Sequence, residues 1–285
     1  MIPLPKNKPI NTQSGVVVHN HKIKINGIKK RIIYHFSDLH LTQYDSFSSE
    51  SERQMAIEKS EFWKNGREYF ANKYNEVFSL EQCNDGCTHF KNLLAEAEKG
   101  DALIMTGDIF DYMSGANLRI ADSYLKDFTA PFMAVCGNHE KPKEIPDNHP
   151  FSKAKNPIQT LDLGDIAIFG VDNSSGVITA EQNNQLKKAL SGKKPLIIAM
   201  HIPIMTDENK NELEKCEDYY ILNNKSAGKE VFEFIDLIKE NSDKIVAVLA
   251  GHLHFMNNSE ISPGVTQYIS SQGLLGNINR YEIGI

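Results

Sequence analysis

The chain of 285 residues carries 31 basic and 37 acidic residues, a formal net charge of -6. With both signs interspersed, that balance provides no long-range attraction for polyanions, so nucleic acid is not the expected partner. Hydrophobic residues at 40% and charged residues at 24% are ordinary globular proportions, which exclude a disordered or fibrous chain. The length lies within one large α/β domain, expected to span residues 1–285.

From Met1 to Gly15 no apolar run could serve as a signal-peptide core, and nothing later reaches the length of a membrane span. The cysteines, Cys83, Cys87, Cys136 and Cys216, are too few and too irregular for a disulfide framework. A reducing cytoplasm and no membrane partner are the expectation; the oligomeric state is open. Cys83 and Cys87 have His89 nearby, but no second pair follows at a zinc-site spacing, and the reading is of buried or idle thiols.

In chain order, Val16 to Phe36 alternates, turns at Asn26-Gly27 and resumes as a denser apolar run, the pattern of a β-hairpin with a type I′ turn. Its lysines, Lys22, Lys24, Lys29 and Lys30, read as a solvated face. Thr42 to Thr88 is a helical insertion or cap, in which Phe62, Trp63, Tyr69, Phe70 and Tyr74 are expected to pack the segment onto the main body.

Buried strands are predicted around Ala102 to Met105, Phe132 to Val135, Leu196 to Met200 and Ile245 to Ala250. Helices are predicted at Cys87 to Lys99, Ala116 to Phe128, Ala180 to Leu190 and Gly228 to Glu240. This alternation predicts a layered α/β sandwich. From Asn257 onward, short extended runs broken by Pro263-Gly264 and Gly273 to Asn277 predict a closing antiparallel meander.

The residues suited to chemistry stand just beyond the strand ends. Ile32 to Phe36 leads to Asp38 and His40, Leu103 to Met105 to Asp108 and Asp111, and Phe132 to Val135 to Asn138 and His139. Ile197 to Met200 leads to His201, and Val246 to Ala250 to His252 and His254. Strands of an open α/β sheet share one crevice at their carboxyl ends, so these residues are expected to converge. The donors are oxygen and nitrogen without thiolate, a set that suits manganese, iron or zinc in five- or six-coordinate sites, and their number suits two ions.

The motifs S-D-L-H (Ser37 to His40), G-D-I-F-D (Gly107 to Asp111), G-N-H-E (Gly137 to Glu140), His201 and G-H-L-H (Gly251 to His254) occur in this order. The arrangement resembles the calcineurin-like metallophosphoesterase superfamily. The resemblance implies a four-layered αββα sandwich with a dimetal centre at the strand ends. It assigns Asp38, His40 and His254 to one metal, Asn138, His201 and His252 to the other, and Asp108 to both. Asp111 would orient ligand imidazoles, and His139 would face the substrate and protonate the leaving group. The implied activity is hydrolysis of phosphate esters by a dimetal-activated hydroxide.

Substrate signals diverge. Glu140 follows the form of Ser/Thr protein phosphatases, yet Tyr112-Met113 stand where those enzymes have Arg-Gly, and G-H-L-H is the form of cyclic nucleotide phosphodiesterases. A small-molecule phosphodiester is the leading expectation, then a phosphomonoester, then a repair-type nuclease; a metal-binding scaffold like the retromer sorting subunit is the non-catalytic alternative. Specificity is expected in the segments 42–88 and Thr206 to Ser226, the latter holding Tyr219 and Tyr220.

Overall fold

The computed structural model describes residues 10–11, 15–74, 85–216 and 220–284. In chain order its strands are β1 (Ile10–Asn11), β2 (Val17–Ile23), β3 (Arg31–Phe36), β4 (Ala102–Thr106), β5 (Phe132–Val135), β6 (Ile158–Asp162), β7 (Ala167–Val171), β8 (Leu196–Ala199), β9 (Ile245–Ala250), β10 (Asn257–Ser262), β11 (Val265–Ile269) and β12 (Asn277–Ile283). The helices are α1 (Glu50–Tyr74), α2 (Gly86–Ala97), α3 (Gly115–Leu125), α4 (Ala180–Leu190), α5 (Lys210–Leu213) and α6 (Lys229–Glu240). Side-chain caps fix three helix starts: Asp85 accepts from Thr88 N, Ser114 from Asn117 N, and Thr179 forms a reciprocal capping box with Gln182.

Two six-stranded sheets form, in the orders β1-β2-β12-β3-β4-β5 and β10-β11-β9-β8-β7-β6. Period-2 alternation divides each central strand between two cores. In β4, Leu103 and Met105 pack with Phe90, Leu93 and Ala121 of α2 and α3, whereas Ala102 and Ile104 face the other sheet. In β8, Ile198 packs with Leu186 and Phe234 of α4 and α6, whereas Ile197 and Ala199 face inward. The result is an αββα sandwich, with Ile33, Ile104, Ile168, Ile197 and Leu249 among the apolar residues between the sheets.

Two local expectations are corrected. β2 and β3 do not form a hairpin, because β12 lies between them, parallel to β2 and antiparallel to β3. The Asn26-Gly27 turn exists, with Gly27 at φ +81°, but it joins strands that are not neighbours. The C-terminal segment is likewise not one meander: β10 and β11 pair antiparallel, and then the chain crosses to the first sheet as β12. β6 and β7, absent from the predicted strands, complete the second sheet.

β3, β4 and β5 run parallel in one sheet, and β7, β8 and β9 run parallel in the other. Their carboxyl ends therefore deliver the motif loops to one side of each sheet. Cys87 packs beside the outer core of the first sheet and Cys136 is buried within it. Cys83, Tyr219 and the side chains of Phe70 and Tyr74 lie outside the described residues. No helix among the described residues is long and apolar enough to cross a membrane.

Candidate metal centre

Among the described residues, every non-glycine residue with positive φ is one of the candidate ligands: Asp38 (56°), His40 (49°), Asp108 (52°), His252 (74°) and His254 (57°). Left-handed backbone costs on the order of 1 kcal/mol for a residue with a Cβ, so it persists only where surrounding structure imposes it. Here the imposition is visible. Asp38 N donates to Gly107 O and His40 N to Asp108 O, both at 3.0 Å, while Gly251 N donates to His201 O at 3.0 Å. His252 N donates to Asp38 Oδ2 and His139 N to Asp108 Oδ1, both at 2.9 Å.

The loops meet too closely for side chains at two motif glycines. A Cβ on Gly137 would lie 2.2 Å from Asp108 Oδ1, and one on Gly251 would lie 1.9 Å from Ser37 Oγ. The glycines of G-N-H-E and G-H-L-H are thus demanded by close approach.

Three clusters of potential ligand atoms result: Asp38, His40 and His254; Asp108, His201 and His252; and His40, Asp111 and His139. In the first, His40 Nε2 and His254 Nε2 face each other at 3.1 Å, and Asp38 Oδ1 is 3.4 Å from His254 Nε2. In the second, His201 Nε2 is 3.0 Å from His252 Nδ1, 3.1 Å from Asn138 Oδ1 and 3.3 Å from Asp108 Oδ2. Asn138 itself is exposed. His201 Nδ1 donates to Thr106 O at 2.7 Å, which aims Nε2 at this cluster. All seven expected ligand positions therefore reach the carboxyl edge in two groups.

The electrostatics suit cations. Burial pulls His40 below the usual histidine range and His252 down to about 3, leaving neutral imidazoles with lone pairs to donate. Burial opposes charge on Asp38 and Asp108 too, but the adjacent histidines outweigh it, holding Asp38 at about 2 and Asp108 lower still. His201 is raised to about 10 because Asp108 overcomes its burial, and a field that favours a proton there favours a cation there. Facing ring nitrogens about one hydrogen bond apart, set against ionised carboxylates, form a donor set that fits two metal ions.

His139 Nδ1 donates to Asp111 O at 2.8 Å and lies 3.2 Å from Asp111 Oδ1. Burial lowers the imidazole's pKa, but the Asp111 contacts dominate and raise it to about 9, so His139 carries a proton at neutral pH. Asp111 Oδ1 also lies 3.3 Å from His40 Nδ1, so one carboxylate orients both rings.

Several contributors lie outside the seven ligand positions. Asn173, after the unpredicted β7, accepts at Oδ1 from His201 N and Ile202 N at 2.9 and 3.0 Å; the run Ile166 to Val171 was the available signal. Glu140 accepts from the backbones of Asp108, Phe110 and Gly137 at 2.9, 2.9 and 2.7 Å. Burial, then the Asp108 charge, raises it to about 7. Trp63 of α1 stacks on His40 with ring centroids 4.0 Å apart, so it packs against the site itself. Tyr220 packs 4.9 Å from the His252 ring.

A two-sheet sandwich thus carries, at one edge, two His/Asp clusters that could each hold a metal ion. The sequence model of the Calcineurin-like phosphoesterase family matches residues 32–256, and the chain belongs to that family of hydrolases acting on phosphate esters. It is 27% identical over 128 residues to the DNA double-strand break repair protein Mre11 of Sulfolobus acidocaldarius, a match covering 40% of this chain. The match spans 33% of that relative, about a third of its length. Its fold is similar to a dimetal phosphatase from Danio rerio, with a TM-score of 0.52 at 10% identity, covering 85% of this chain and 88% of that one. A 5'-nucleotidase from Candida albicans aligns with a TM-score of 0.43 at 13% identity, over 90% of this chain and 47% of that one.

Proposed function

We propose that this chain is a dinuclear metallophosphoesterase that hydrolyses small-molecule phosphodiesters. The observation that carries the proposal is the gathering of seven nitrogen and oxygen donors into two clusters, with His139 held by Asp111 beside them. Asp38, His40 and His254 would hold one ion and Asn138, His201 and His252 the other, with Asp108 shared. The donor set suits manganese, iron or zinc.

Cations held there would supply Lewis acidity toward water and offset the charge of the phosphoryl oxygens. The protein's residues do the rest. Thr106 O holds the His201 ring through Nδ1, and the side chains of Asn173 and Glu140 hold the backbone N–H groups of His201 and Asp108. His139, anchored through Nδ1, has Nε2 free to give a proton to the departing ester oxygen, and Asp111 holds its ring.

The diester reading is supported by G-H-L-H and by Tyr112-Met113 in place of Arg-Gly. Glu140, the sequence's main pointer to protein phosphatases, has its carboxylate engaged by three backbone N–H groups, so it loses weight as a substrate marker. The net charge of -6 weighs against a nuclease. Retention of His139 with all seven ligand positions weighs against a scaffold. We read 1–285 as one catalytic domain with a helical insertion at 42–88, and the unpatterned cysteines support a cytoplasmic setting.

The test is hydrolysis of bis(p-nitrophenyl) phosphate and p-nitrophenyl phosphate by Mn²⁺-loaded protein. A higher kcat/KM for the diester is expected. Preference for the monoester would replace the diester reading with a phosphatase, and inactivity on both would favour a scaffold.

A further inference from the structure

We propose that Lys59, on α1, binds the anionic phosphoryl group of the substrate, so that the segment between the first two motifs supplies a working residue of the site. This deepens the reading above and rests on it. Lys59, Phe62 and Trp63 occupy positions i, i+3 and i+4 and share one helix face. Trp63, 7% exposed, stacks on His40 and lies 5.6 Å from the His254 ring. The ring of Phe62 meets Trp63 edge-on at 5.2 Å and lies 5.9 Å from the Lys59 ammonium. Ser60 Oγ donates to Thr42 O at 3.0 Å, tethering this turn of α1 two residues beyond His40. The helix is therefore seated beside the candidate metal centre, Trp63 touching His40 and His254 and Ser60 touching Thr42.

Lys59 Nζ lies 3.3 Å from Asp111 Oδ2, while the other oxygen of that carboxylate lies 3.2 Å from His139 Nδ1. Among the described residues it is the one lysine or arginine ion-paired to a candidate site residue. The Lys59 side chain is 44% exposed while that of Asp111 is fully buried, so the ammonium stays open on its solvent side. As an anion receptor it is well suited, because an ammonium has three donors and a flexible stem, and Asp111 engages only part of that capacity. Asp111 stands in the free protein where a phosphoryl oxygen would compete for the ammonium. Charge from Lys59 would add to that of the metals and His139 on the same group.

The test is calorimetric titration of inorganic phosphate into Mn²⁺-loaded wild type, Lys59→Gln and Lys59→Arg, with metal content measured on each. Steady-state kinetics on the chromogenic diester run alongside. Lys59→Gln is expected to weaken phosphate binding and raise KM by on the order of 10- to 100-fold, with a smaller change in kcat and unchanged metal content. Lys59→Arg should recover most of the affinity. Equal phosphate affinity in wild type and Lys59→Gln, or no phosphate binding by wild type, overturns the proposal. Should wild type bind phosphate with Lys59-dependent affinity yet hydrolyse no ester, the inference stands and the catalytic reading fails.

Discussion

The carboxylate of Glu140 accepts a hydrogen bond from the backbone N–H of Asp108 at 2.9 Å, joining the third motif to the second. The same side chain takes Phe110 N and Gly137 N, so three N–H groups of two ligand loops converge on one buried acid.

Glu140→Ala leaves those donors without their acceptor, at about 1–3 kcal/mol for each that stays buried and unpaired. A lower urea midpoint and weaker Mn²⁺ binding are expected, with Glu140→Gln intermediate because it keeps one carbonyl oxygen. Wild-type midpoints and metal affinity in the alanine variant would show that the clasp is dispensable.

Gly251→Ala places a Cβ 1.9 Å from Ser37 Oγ, between the first and last motif loops. The clash forces the loops apart, and overpacking of this kind costs about 1–3 kcal/mol. Metal titration should show a larger loss than thermal melting does, since the displaced loops carry Asp38, His252 and His254. Metal affinity equal to wild type would contradict the close-approach argument.

His139→Ala should keep its metals, because the ring lies outside the seven ligand positions, and lose about 10²- to 10⁴-fold in kcat. Metal analysis and turnover on one preparation check this together. Full turnover would remove His139 from the proton-donor role.

Acid sensitivity follows from His35, fully buried between the sheets with Nε2 2.7 Å from Thr106 Oγ1 and Nδ1 3.2 Å from Tyr281 OH. Burial depresses its pKa from 6.5 to about 3. The unfolded chain therefore takes up a proton that the folded chain refuses. This group's contribution is complete above pH 6.5 and is lost as pH falls toward 3, by about 1.4 kcal/mol per unit. Urea midpoints at pH 7 and pH 5 should differ less in His35→Gln than in wild type; an unchanged difference would refute the assignment.

How far the sequence could be read depended on whether a feature is local. Strand runs ending in Asp, His or Asn exposed the site, since parallel strands bring their carboxyl ends together whatever their order. The placement of β12 was hidden, because its partners at Val17–Ile23 and Arg31–Phe36 lie some 250 residues away and the Asn26-Gly27 turn mimics a hairpin signal. The left-handed backbone at Asp38, His40, Asp108, His252 and His254 was invisible too. Propensity reserves that region mainly for glycine, and loop-to-loop hydrogen bonds impose it here. Trp63 looked like packing and is packing, but its partner, His40, emerges only once α1 is docked.

We propose that two metal ions, one in each cluster with Asp108 shared between them, act together on a phosphate ester. Stepwise addition of Mn²⁺ to metal-free protein, with diester hydrolysis read at each addition, tests it most directly. Two equivalents should bind, turnover should rise chiefly with the second, and Asp108→Asn should abolish it. Full turnover at one equivalent, or Asp108→Asn as active as wild type, would contradict the account.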